Sequence, residues 1–311
     1  MANTANTTAL TTDFNVTPYY DDYDANKGFY RILFKPGYAV QARELTQIQT
    51  SLQEQIQRFG RNIFKDGTIV LPGAFYLETN DGLNAGRAIR YVKINDTDST
   101  GNTVSVSEWN TLIEQGKANG NTRLEITGVT SNITAQLIQT LDGVQSSANS
   151  KTLYVAYTSA SPTNPTQKVF LPGETLRANV NGATYSVVVK STDAVANTGV
   201  GSRFTITSGV LFAKNHFIAF PEQSIVIDRY NPNPTARVGF YISEEIVTSS
   251  SDASLLDPAQ EASNFSAPGA DRLRLNPELQ VVGIDDTVDV QNFVTLFTIE
   301  AGRVKTYLAN T

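Results

Sequence analysis

The chain has 311 residues, a net charge of −6, no cysteine and a single histidine, His216. This composition excludes disulfides, thiolate nucleophiles, iron–sulfur clusters and multi-histidine metal sites, and it offers no basic field for nucleic acid or an anionic membrane. Only 17% of residues are charged, so polarity rests on Thr, Asn, Ser and Gln, a composition that leans toward a durable extracellular or virion surface.

Residues 1–28 show no helical period and read as an extended arm. They contain neither a basic n-region nor an apolar h-region, so a soluble chain without a secretion signal is expected. Within the arm, Tyr19, Tyr20 and Tyr23 alternate with Asp21, Asp22 and Asp24. Such a segment can lie along a neighbour with its rings buried and its acids wet, or remain a free tail. The run Phe29-Tyr30-Arg31-Ile32-Leu33-Phe34 reads as a first strand, closed by Pro36-Gly37.

Leu45, Ile48, Leu52, Ile56, Phe59 and Ile63 follow at steps of three and four, the spacing of one helical face. A helix over 40–59 is predicted, with Gly60 as its end or interruption. Its other positions are dominated by Gln41, Gln47, Gln49, Gln53, Gln55 and Gln57. Amides can be buried without carrying charge. Two arrangements fit. Three copies can meet about an axis, with Leu45, Ile48 and Leu52 as the seam and Gln55 as a polar core position, or the helix can lie on its own sheet.

After Asp66-Gly67 the period becomes two. Strands are expected at 68–71, 74–77, 88–94, 123–129, 133–140, 152–158, 168–177 and 184–190. Further strands are expected at 204–207, 209–212, 215–220, 224–227, 237–242, 273–275, 288–299 and 304–308. Turn-rich breaks at 95–102 and 193–202 bracket the middle group. The expected organisation is therefore mainly β, with sandwich-like or barrel-like domains: an arm and first strand over 1–39, a Gln-rich oligomerisation helix over 40–66, a parent β-domain over 67–95 plus 203–311, and an inserted β-domain over 96–202. The final strand runs almost to Thr311, which fits either a strand tucked into a sheet or a piece of a longer protein.

Motifs that carry chemistry are weak. Asp96, Asp98 and Gly101 match the start of a calcium loop, but Ser107 stands where a bidentate glutamate belongs. Gly199-Val200-Gly201 lacks the rest of a dinucleotide fingerprint, and Gly116-Lys117 lacks a Walker sequence. Glu244 and Glu245 are neighbours in a strand and face opposite ways, so they are no glycosidase pair. Asp285, Asp286 and Asp289 read as a solvated turn, Trp109 as a core anchor, and His216 as a partly exposed hairpin residue. No catalytic, metal or cofactor residue is assigned, and no enzymatic activity or cofactor is expected.

Four stretches near the start resemble the opening of tail-baseplate or tail-fibre structural proteins of contractile-tailed phages of the cyanophage type: 13–23, beginning Asp13-Phe14-Asn15-Val16-Thr17-Pro18; 27–37; Gln41-Ala42-Arg43-Glu44-Leu45; and Gln55-Ile56-Gln57-Arg58-Phe59-Gly60. Residues 239–248, 252–257 and 267–273 resemble the same family, whereas 96–202 does so poorly. The resemblance implies a non-enzymatic virion protein of the phage tail, held on the baseplate by its N-terminal part, commonly as a homotrimer, with other tail proteins as partners. The residues expected at the assembly interface are Tyr19, Tyr20, Tyr23, Phe29, Leu45, Ile48, Leu52, Gln55, Ile56 and Phe59. An alternative reading is a tail component that binds or degrades host-surface polysaccharide through exposed aromatics and carboxylates. Relatives that meet the host are often longer, so a chain ending at Thr311 is expected to serve as an adaptor or wedge.

Overall fold

A computed structural model describes residues 10–79, 89–118, 124–143, 149–191, 196–260, 263–287, 289 and 291–307. The first regular element of length is α1 (Ala42–Ile63). It starts where the Glu44 carboxylate accepts the Gln41 N–H at 2.8 Å, which satisfies an otherwise open helix-terminal donor. The helix continues through Gly60 rather than stopping there. A Cβ on Gly60 would lie 2.5 Å from the Phe212 ring, and Phe212 is fully buried. The glycine thus allows the last turn of α1 to touch the sheet beneath. Gly60→Ala gains about 1 kcal/mol of helix propensity but forces a packed ring aside at about 1–3 kcal/mol. A net loss of about 1 kcal/mol is expected in urea unfolding.

The strands follow in order. β1 (Thr68–Leu71) and β2 (Phe75–Glu78) precede β3 (Arg90–Lys93) and the helix α2 (Val106–Ala118). Then come β4 (Leu124–Gly128), β5 (Thr134–Leu141), β6 (Thr152–Tyr157), β7 (Thr175–Val180), β8 (Ala183–Val188) and β9 (Thr198–Val200). β10 (Ser202–Ile206), β11 (Gly209–Ala213), β12 (His216–Phe220) and β13 (Gln223–Asp228) follow. β14 (Ala236–Val247), β15 (Arg272–Val282), β16 (Phe293–Glu300) and β17 (Arg303–Tyr307) complete the described strands. The protein is mainly β, and its sheets are open rather than closed into barrels.

Strands on either side of the middle region pair with each other. β1 is antiparallel to β11, with Thr68 opposite Phe212. β2 is antiparallel to β10, with Phe75 opposite Ile206 and Leu77 opposite Phe204. These two small sheets pack with the sheet β15-β14-β16-β17 around one core that holds Phe204, Ile206, Leu211, Phe240, Ile242 and Phe297. β14 is its spine: Val238, Phe240 and Ile242 are fully buried at alternate positions, as period-two patterning requires.

The other sheet runs β8-β7-β4-β5-β6-β3-β9, and α2 packs on it through Trp109, Leu112 and Ile113. Trp109 is thus buried in the core, on a helix whose weak local periodicity does not mark it out in the sequence. The expected division at 95 and 203 also needs correcting. β3, assigned to the parent domain, lies between β6 and β9 in the seven-stranded sheet. β9 itself falls within the expected break at 193–202, whose composition favours a turn at Gly199. It is a strand residue, and a Cβ there would lie 2.6 Å from the Tyr91 hydroxyl. The run at 168–177 also begins its strand late, at Thr175.

The two sheet systems meet at Ile89, Tyr91 and Tyr154, packed with Val226 and Tyr230. The Tyr91 and Tyr230 rings are 4.9 Å apart. Lys93, fully buried, places its Nζ 4.2 Å from the Tyr230 ring centroid, so the ring face replaces part of the solvation that the ammonium loses.

Candidate assembly surface

The arm docks on its own chain, and it does so through polar groups. The Glu244 carboxylate, at the far end of β14, accepts hydrogen bonds from the Thr11 N–H (2.9 Å), the Thr12 N–H (2.8 Å) and the Thr12 hydroxyl (2.6 Å). Lys214 adds an ion pair from the other side at 2.5 Å. Burial pushes the Glu244 carboxyl upward, but the bonds from Lys214, Thr12 and Thr11 outweigh it and hold the group at about 2. Eight residues along, the Tyr19 hydroxyl donates to Asp271 at 2.7 Å.

From there the arm crosses to α1. Asp21 is buried and accepts from the Thr50 hydroxyl at 2.5 Å. Asp22 accepts from Gln47 at 2.6 Å and pairs with Arg43 at 3.0 Å. Expectation and structure differ here: an acid is buried, while Tyr20 is 57% exposed and Tyr23 half-buried. The cause is that α1 offers hydroxyl, amide and guanidinium donors on the face toward the arm. Further along the same side, the Gln57 amide meets His216 Nε2 at 3.0 Å, and His216 Nδ1 meets the Lys214 carbonyl at 2.6 Å. This pairing makes Nδ1 the protonated nitrogen and Nε2 the acceptor.

The polar face of α1 is therefore the face turned toward its own chain. Its apolar face is turned away. Leu45, Leu52, Ile56, Phe59 and Ile63 are each more than half exposed, and Ile48 is 37% exposed. The arrangement in which α1 rests its apolar stripe on its own sheet is thus not the one found; only Gly60 in the helix is buried. Gln55 lies beside the stripe with its amide donating to the Ser51 carbonyl at 3.3 Å. The segment expected as a first strand, 29–34, has no regular secondary structure and belongs to none of the sheets. Phe29, Tyr30, Leu33 and Phe34 along it, and Tyr38 and Val40 after it, are 48–77% exposed. Phe29 and Tyr23 also line a cavity of about 260 Å³ between the arm and the first turns of α1.

Elsewhere the weak motifs resolve into local structure. One oxygen of the Asp98 carboxylate, Oδ1, accepts from the Thr100 N–H, the Thr100 hydroxyl and the Asn102 N–H, which closes a turn. Among the described residues no group of three or more His, Asp or Glu is placed to hold a metal ion. Asp289 caps the turn before β16 by accepting from Gln291 and Asn292.

Asp66, at the foot of α1, carries a cost that sequence does not reveal. One carboxylate oxygen is buried without a hydrogen-bond partner. Burial raises its pKa to about 6, only partly countered by a bond from the Lys214 backbone. Because the folded value lies above the unfolded one, the folded state loses stability as pH rises from about 4 to about 6. Asp66→Asn removes that loss. A gain of about 2 kcal/mol is expected in urea unfolding at pH 8, and almost none at pH 4.

A family model described as a domain of unknown function, DUF4815, matches residues 17–163. That span begins in the arm, includes all of α1, β1 and β2, and ends just after β6. The chain is similar to that family over this span. No curated protein and no solved structure matches the chain.

Proposed function

We propose that this protein is a structural component of a phage tail baseplate or proximal tail fibre, and that copies of it associate, three about an axis, through α1 and the segment before it. The observation that carries the reading is the apolar stripe of α1, which lies open along a helix of about 33 Å. The opposite face of that helix is already engaged by the chain's own arm and by His216. An amphipathic helix that turns its polar side inward leaves its apolar side for a partner. Leu45, Ile48, Leu52, Gln55 and Phe59 follow alternating steps of three and four, the spacing of a coiled-coil seam, with Gln55 as its polar position. The resemblance of 13–60 to tail proteins, and a surface poor in charge, support the same reading.

Immunogold labelling of intact virions with antibodies against the full chain tests the placement. Gold is expected at the baseplate end of the tail. Particles that lack the protein, or that carry it on the capsid, would overturn the proposal. Release of reducing ends from host polysaccharide by the purified protein would favour a depolymerising component instead.

A further inference from the structure

The Lys214 side chain is fully buried and Glu244 is nearly so, at 5% exposed. Lys214 Nζ touches two groups: Glu244 Oε1 at 2.5 Å and the carboxamide oxygen of Asn292 at 2.5 Å. The Asn292 carboxamide is held at its other end too, where its nitrogen donates to Asp289 at 2.7 Å. Its backbone N–H and C=O are bonded to the Asp289 carbonyl and the Ile242 N–H, so the side chain is presented in one orientation. An amine, a carboxamide carbon one bond from the contacted oxygen, and a carboxylate in contact with the amine thus meet at a largely buried site.

We propose that Lys214 and Asn292 form an intramolecular isopeptide bond, with Glu244 as the catalytic proton carrier. Glu244 takes a proton from the Lys214 ammonium, and the freed Nζ attacks Cγ of Asn292. Glu244 then returns the proton to Nδ2 as the Cγ–Nδ2 bond breaks. The Nζ–Cγ amide bond replaces it, and the nitrogen leaves with Nζ's remaining displaced proton as ammonium. Nothing is oxidised or reduced, so no cofactor is needed. A cavity of about 370 Å³ beside Glu244 and Asn292, lined also by Thr11 and Thr12, gives the leaving group an exit. The reaction occurs once per molecule, so a slow transfer to a carboxylate that favours its ionised form is sufficient.

Two features of the site fit the product as well as the reactants. After the lysine charge has gone, Glu244 keeps three donors from Thr11 and Thr12, so the carboxylate is not stranded. The bond joins residues 78 positions apart. It ties the turn between β11 and β12 to the start of β16, and so locks two of the sheets that share the core. A chain with no cysteine would gain by this route a covalent brace that reducing conditions cannot open.

Intact mass spectrometry of the full chain under denaturing conditions tests the bond. A mass lower by about 17 Da than the sequence requires, the loss of one ammonia, is expected, with a proteolytic digest giving one branched peptide that joins Lys214 to Asn292. A wild-type chain at its full sequence mass overturns the proposal, as does an ammonia loss that maps to another residue. Asn292→Ala should show the full mass for its own sequence. Glu244→Gln, checked for folding by circular dichroism, should do so too; a folded Glu244→Gln chain that still loses ammonia overturns the role given to Glu244.

Discussion

Glu244→Ala is expected to destabilise the protein by about 3–5 kcal/mol, the range for removing one partner of a buried ion pair. The variant leaves the fully buried Lys214 facing a cavity and deprives Thr11 and Thr12 of their acceptor. It also removes the proton carrier for the proposed cross-link, so the brace does not offset the loss. The neighbouring Glu245 provides the contrast. It pairs with Arg274 at 3.4 Å while both side chains are more than half exposed, and Glu245→Ala is expected to change stability by at most about 0.5 kcal/mol. Urea unfolding of the two variants, followed by circular dichroism, should separate them clearly. Because Glu244 also anchors the arm, protease cleavage before Asp21 should accelerate in Glu244→Ala and stay unchanged in Glu245→Ala.

The second large effect concerns association. Leu52→Glu places a carboxylate in the middle of the exposed stripe, where the proposed axis would bring three of them together. Helix propensity barely changes, since leucine and glutamate are both good helix formers. The loss of one buried leucine per copy and the repulsion between like charges should weaken association at least about a hundredfold, or roughly 3 kcal/mol. Sedimentation velocity should show a single slow species for Leu52→Glu at concentrations where the native chain sediments faster. Arg61 lies nine residues further on, half a helical turn away in angle, and is exposed. Arg61→Gln is expected to leave sedimentation unchanged.

Local pattern revealed the elements better than their partners. The period of α1 and most strands of the β-region are legible because each depends on residues three, four or two apart. The direction in which α1 faces is not, since a stripe of the same spacing serves a sheet and a helical seam alike. The alternation in the arm predicts, if it docks, rings in and acids out. The donors that reverse this, Thr50 and Gln47, lie 25 to 29 residues away. β3 is an apolar run that fits either sheet, and its assignment depends on β9, which a glycine disguised as a turn. The Lys214, Glu244 and Asn292 cluster left the faintest trace. A lysine in a hairpin otherwise rich in apolar residues is its only local sign, and its partners stand 30 and 78 residues along the chain.

The central claim is that the apolar face of α1 is covered by further copies of the same chain. Multi-angle light scattering on the 311-residue chain, measured over a range of micromolar concentrations, tests it most directly. The expected molar mass is about three times the 33.8 kDa of one chain. A mass that stays at 33.8 kDa throughout that range would contradict it.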